Sequence, residues 1–121
     1  MPGSFIETKY DGIDVSRPVG KTNLPSKHMY FVGDRRALFL RFESSRPTRN
    51  SYSVFKFVDE DGNLFICFSN HIEFNKDPIE PGNCYILNAT IRRHSHNAYE
   101  NNEETHINRI KVLKCLGKKD K

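Results

Sequence analysis

Tryptophan is absent from this 121-residue chain, cysteine is confined to Cys67, Cys84 and Cys115, and glycine and proline number only seven and six. No apolar run approaches the roughly 20 residues a membrane-spanning helix needs, and the first residues lack the apolar stretch of a signal peptide. Three cysteines, far apart and odd in number, form no disulfide framework and offer no Cys-x-x-Cys pair for a metal. The expectation is a soluble, cytoplasmic protein with no membrane partner. Hydrophobic residues make up 36% and aromatics 12%, with nine Phe and five Tyr, so the core is expected to be built from rings and β-branched residues, which favours strands. A chain of this length suits one domain that buries a core without disulfides or metals. Lys and Arg outnumber Asp and Glu by 19 to 15. That excess fits an anionic partner, and equally an ordinary solvated surface with a positive tail.

The most organised stretch is 51–69, SYSVFKFVDEDGNLFICFS, which reads as a β-hairpin. Phe55 and Phe57 share a face of its first strand, and Leu64, Ile66 and Phe68 share a face of its second. Asp59-Glu60-Asp61-Gly62-Asn63 tolerates positive φ and hydrogen-bonds its own backbone, so the chain reverses there. The opposite face, with Tyr52, Val54, Lys56, Val58, Phe65 and Cys67, is half polar and reads as a second packing surface or a binding surface.

Before the hairpin, 29–43 contains a long strand with Leu38, Leu40 and Phe42 on one side and Ala37, Phe39, Arg41 and Glu43 on the other. Residues 44–50 read as a polar loop in which Pro47 forbids pairing and Arg46 and Arg49 flank the hairpin. After the hairpin, 70–81 is a connection with room for a helical turn. A half-buried strand follows, with Tyr85, Leu87, Ala89 and Ile91 alternating against Ile86, Asn88, Thr90 and Arg92 and ending in Arg92, Arg93 and His94. Residues 95–104 read as a polar loop carrying Tyr99. In the last strand, 105–114, Ile110 and Val112 point inward and Arg109 and Lys111 outward. The domain is thus 28–116, followed by a charged tail over 117–121. It is preceded by an arm over 1–27 whose Phe5, Ile6 and Tyr10 are spaced as anchors for a partner.

Roughly five strands with a connection between the third and fourth is the strand arithmetic of an OB-fold, a small Greek-key barrel. In such a barrel the face of strands two and three and the loops beside it bind oligonucleotides. A small β-sandwich or an SH3-like barrel fits the periodicity nearly as well. Three segments favour the OB-fold: GDRRALFLRF, SYSVFKFVDEDGNLFICF and PGNCYILNATIRRHSHNAYENNEETHINRIKV. In order and in motif they resemble an OB-like domain of phage and mobile-element replication proteins. That group has a Gly-Asp opening to the first strand, an Asp-x-x-Gly-Asn turn before a Phe-rich strand, and a G-T-V-K-K-H … T-x-L-x-R-x-K-V ending. Here the ending reads Ala89-Thr90-Ile91-Arg92-Arg93-His94 and then Thr105-His106-Ile107-Asn108-Arg109-Ile110-Lys111-Val112. Cys67 stands where the group has Trp, and Ala89 where it has Gly, so one large stacking surface is missing. The resemblance implies a mainly β, five-stranded OB-fold barrel with an extended N-terminal arm, and single-stranded DNA as partner in replication.

Single strands are bound by a basic groove with rings on which bases stack. The expected set is Phe39, Arg41, Tyr52, Lys56, Phe65, Arg92, Arg93, His94, Arg109 and Lys111, with Arg46, Arg49 and Tyr99 on adjacent loops. The plainer alternative packs the rings beneath the arm and leaves the cations as a solvated face. His94, His96 and His106, with Cys84 or Cys115, are too scattered for the four tetrahedral ligands of zinc, so neither metal nor cofactor is expected. The carboxylates cluster in turns and Cys67 has no adjacent base, which leaves no catalytic group and a non-enzymatic binding protein as the expectation. The second reading is an accessory subunit that docks on a DNA polymerase, primase or helicase.

Overall fold

The computed structural model describes residues 26–118, together with the backbone of 9–10 and 13–14. Phe5, Ile6, the side chain of Tyr10 and residues 119–121 lie outside the described residues. Every element among them is a strand: β1 (Lys9–Tyr10), β2 (Ile13–Asp14), β3 (Arg35–Pro47), β4 (Ser53–Val58), β5 (Leu64–Ser69), β6 (Glu73–Phe74), β7 (Asp77–Pro78), β8 (Asn83–Asn97) and β9 (Asn102–Lys118). β1 and β2 form one short antiparallel ladder, and β6 and β7 another. The remaining five close a barrel in the order β3-β4-β5-β9-β8, with β8 returning to β3. Only the β5–β9 pairing in the barrel is parallel. This is the small five-stranded OB-like barrel that the strand count anticipated.

Closure depends on β3 serving two neighbours. Its first half, Arg35 to Arg41, pairs with β8, and its second half, from Arg41 to Pro47, pairs with β4. A register shift between Phe42 and Ser44 marks the bend, because an extra residue on one strand kinks it and tightens its twist. On the far side β9 is irregular in the same way. While β8 advances from Asn88 to Thr90, β9 spans Lys111 to Asn108, and the additional residue is absorbed at Arg109, whose φ is 53°. Ile107 and Ile110, three apart, therefore both reach the same core.

That core is filled from every barrel strand: Leu38, Leu40 and Phe42 from β3, Phe55 and Phe57 from β4, Phe65 and Cys67 from β5, Tyr85, Leu87, Ala89 and Ile91 from β8, and Ile107 from β9. The alternation read for β3, β4 and β8 holds. For β5 it is reversed. Phe57 pairs with Phe65 and Phe55 with Cys67, so Phe65 and Cys67 fill the interior while Ile66 and Phe68 stand opposite Lys56 and Val54 on the outer face. A run as continuously apolar as Leu64-Phe65-Ile66-Cys67-Phe68 gives period 2 no means of choosing its inner side; the hairpin register decides it. Phe39 does leave the barrel interior, but it is buried in a second cluster with Val58, Leu64, Cys84 and Ile86.

Three further segments differ from expectation. β3 runs on through 44–47, and Pro47 is tolerated opposite Ser53 because, among the described residues, no strand pairs with the other side of β3 beyond Arg41. Residues 70–81 hold the β6–β7 ladder rather than a helical turn, and Ile72 and Ile79 on either side of it enter the core. Much of 95–104 is strand, since β8 continues to Asn97 and β9 begins at Asn102.

The β4–β5 turn is built by Asp59. Its Oδ1 accepts from the backbone N–H groups of Asp61 and Asn63, both at 2.9 Å, and its Oδ2 from Asn63 Nδ2 at 3.0 Å, while Gly62 supplies a φ of 85°. Asn63 Oδ1 in turn accepts the N–H of Lys27 at 2.8 Å, which begins a strap over 26–34. Ser26 Oγ donates to the carbonyl of Glu103 and accepts from Leu64 N, so one hydroxyl joins the ends of the two parallel strands. Farther along, Met29 N donates to Thr105 Oγ1 and Gly33 N to the Ile91 carbonyl, and Tyr30 packs on the core beneath the Arg36 guanidinium.

Phe65→Ala is expected to lower the unfolding free energy by about 3–5 kcal/mol in urea denaturation, as for a ring removed from a packed core. Tyr52→Ala is expected to stay within about 0.5 kcal/mol of the parent. Similar small effects for the two would place Phe65 on the outer face after all.

Candidate nucleic-acid interface

The outer face of β4 and β5 is flanked at one end by two loops, 48–52 between β3 and β4 and 98–101 between β8 and β9. Between them lies a cleft of about 440 Å³. Val54, Ile66 and Phe68 form an apolar floor; Ser44, Arg46, Thr48 and Lys56 stand on the β3–β4 side, and Asn97, Glu100 and Glu104 on the β8–β9 side. Each loop is held by a polar side chain. Thr48 donates from both its backbone N–H and its Oγ1 to the Tyr52 carbonyl, at 3.0 and 2.7 Å. Asn97 Oδ1 accepts the N–H groups of Tyr99 and Glu100, at 3.0 and 3.2 Å. Both loops are thereby preorganised around the cleft.

Phe68 is the ring that this face offers. It is 45% exposed, and its inner edge rests on the His106 ring at a centroid distance of 5.6 Å. His106 is fixed in turn. Arg93 Nε donates to its Nδ1 at 3.3 Å, and since a guanidinium has no acceptor, the imidazole proton resides on Nε2, which faces Glu104 Oε1 at 3.1 Å. Asn97 Nδ2 holds the other Glu104 oxygen at 3.1 Å.

Of the residues expected to bind, Arg46 and Lys56 line the cleft, and neither has an ion-pair partner among the described residues. Tyr52, 49% exposed, and Tyr99, fully exposed, sit on or beside the two loops, as does Arg49. Arg93 reaches the cleft only through His106, and Arg92 lies beside it on β8, exposed. Arg109 and Lys111 are exposed on β9 farther along, away from the cleft lining. His94 is elsewhere: its ring stacks on His28 with centroids 4.7 Å apart, and its Nε2 contacts the Met29 carbonyl, so it holds the strap. Arg41 is half-buried and pairs with Glu43 at 2.5 Å. Phe39 and Phe65, at 5% and 0% exposure, offer no surface on which a base can stack. The cleft-lining residues that the sequence reading leaves out of its candidate set include Phe68, Glu100 and Glu104. Phe68 was within reach, because the five-residue turn at 59–63 pairs odd with odd positions and so places even-numbered Phe68 beside Val54 and Lys56.

The titratable groups outside the cleft serve the fold. Glu103 is held below the usual carboxylate range by its hydrogen bond to His96, assisted by the nearby His28 ring. Burial raises the Tyr30 hydroxyl and pushes the Cys67 thiol from its ordinary 9.0 up to about 12. A thiol that stays protonated in an apolar interior is no nucleophile.

No family model, no curated protein and no solved structure matches this chain.

The Cys67 shift has a measurable consequence. Below pH 9.0 the thiol is protonated whether the chain is folded or not; above it the unfolded thiol ionises while the buried one does not, so stability falls as pH rises toward about 12. Denaturation midpoints across that range are expected to fall more steeply for the parent than for Cys67→Ala. Parallel slopes would mean that Cys67 is solvated.

Proposed function

We propose that this protein binds single-stranded DNA without chemistry of its own, in the replication of a phage or mobile element. The observation that carries the reading is the cleft's position and lining: it occupies the face of the second and third barrel strands between the first-to-second and fourth-to-fifth strand loops, where OB-folds take oligonucleotides. It presents there, beside an exposed ring, cations that have no ion-pair partner among the described residues. Arg46 and Lys56 supply attraction for phosphates, and Phe68, with Tyr52 and Tyr99 at the rims, supplies faces for bases. The replication context rests on the resemblance of the three sequence segments.

A duplex fits this arrangement poorly, because its bases are already stacked on one another and leave Phe68 nothing to accept. A flexible strand can turn a base onto the ring while its phosphates follow the cationic side.

One observation favours the accessory-subunit reading as a partner role beside strand binding. Phe31 and Val32 are 79% and 57% exposed at the tip of the strap, more open than any other large apolar residue among the described residues except Tyr99. Such a tip suits docking on a polymerase, primase or helicase, which would need little strand affinity from a tethered subunit.

Fluorescence anisotropy of a labelled single strand, with a duplex control, tests the proposal at low and at physiological salt. Salt-sensitive binding that prefers the single strand is expected. Phe68→Ala is expected to cost about 1–3 kcal/mol of binding, as for loss of one stacked base. Replacing Arg46 and Lys56 together by Ala is expected to reduce the slope of log affinity against log salt by about 1.4, two contacts at about 0.7 each. Absence of binding at low salt, or equal binding to duplex, overturns the reading.

A further inference from the structure

The two sides of the cleft carry opposite charge, and this bears on which bases it accepts. On the β3–β4 side are Arg46 and Lys56 with the hydroxyls of Ser44 and Thr48; on the β8–β9 side are Glu100 and Glu104 with Asn97. A phosphate placed against the second side meets like charge, so a strand lying in the cleft runs its backbone along the first. A base stacked on Phe68 then turns its edge toward the carboxylates.

Glu104 is built to meet such an edge. Its side chain is 13% exposed, and one oxygen faces His106 Nε2 while the other accepts from Asn97 Nδ2. Arg93 fixes the His106 tautomer from behind. The carboxylate is thus held in one orientation, and each oxygen retains capacity for a second donor. Glu100 stands beside it on the loop that Asn97 organises. Two carboxylates offer acceptors only, so the edge they favour is one that presents N–H groups.

Resting on the single-strand reading above, we infer that this acidic wall selects bases with an exocyclic amino group over thymine and uracil. Cytosine directs its N4 amino group at a carboxylate, the pairing that acidic side chains make with this base. Adenine and guanine have amino groups of their own. Thymine and uracil have a single N3–H between two carbonyl oxygens, and bringing that edge up to Glu104 sets acceptor against acceptor.

Cytosine and thymine are alike in size, so oligo(dC) and oligo(dT) of equal length isolate the edge from the stacking. At neutral pH and physiological salt the parent is expected to bind oligo(dC) about tenfold more tightly. In Glu104→Gln the preference should narrow, chiefly because oligo(dT) binds better once an amide donor is available to its O4. Glu100→Gln, on an exposed loop where folding is not at stake, should narrow it in the same direction. Equal affinities for the two oligonucleotides in the parent overturn the inference and leave strand binding standing. A preference that persists unchanged in both variants also overturns it, since the base is then read elsewhere. Failure of the parent to bind either strand removes the single-strand reading itself.

Discussion

The parallel contact between β5 and β9 is the constraint on which the rest of this structure depends. Four antiparallel ladders make an open, strongly twisted sheet; only this fifth pairing, Leu64 to Cys67 alongside Glu104 to Ile107, turns it into a barrel. It is short, and parallel ladders are slightly weaker per residue than antiparallel ones. Other groups reinforce it. Ser26 Oγ bridges Leu64 N and the Glu103 carbonyl at its end, and Thr105, fully buried beside it, holds the strap through Met29 N. To bring β9 there at all, β3 bends between two neighbours and the β8–β9 ladder takes up extra residues, including Arg109 in the left-handed region.

Closure also sets the cleft. Because β9 lies beside β5, Glu104 and His106 are carried to the edge of the β4–β5 outer face, and the projecting end of the β8–β9 hairpin raises Asn97 and Glu100 opposite Arg46 and Thr48. No local segment contains both walls. The cationic side comes from residues about 50 positions before the acidic side, so the cleft exists only once the β5–β9 pairing has formed. Loss of that pairing would therefore remove the proposed binding surface before it unfolded the individual hairpins.

Much of the architecture was readable in the chain. Strands β3, β4 and β8 alternate cleanly because one face of each is mixed with polar residues, and Phe42, Phe57 and Ile91 fall where alternation puts them. β5 failed because both of its faces are apolar: the barrel interior takes Phe65 and Cys67, while the second cluster and the cleft floor take Leu64, Ile66 and Phe68. The information that fixes its parity lies in the number of residues in the turn, not in the strand. The ends of β8 and β9 look like loop in the sequence for the converse reason. They project beyond their neighbours, bury little, and are held by cross-strand pairs such as His96 with Glu103 and Asn97 with Glu104, which hydropathy does not register.

The same parity explains why the candidate site changed membership without changing place. With Phe65 inside, the ring that the outer face needs is supplied by Phe68, three residues on, and the floor around it becomes Val54 and Ile66. Cys67, the position at which the sequence comparison expects Trp, points into the core, so an indole there would enlarge the interior rather than the outer face. The missing Trp therefore removes no stacking surface from this barrel. What distinguishes the face instead is Glu104, anchored by His106 and Asn97; under the proposed strand binding, a carboxylate held that firmly is tolerable only where it meets a base edge rather than a phosphate.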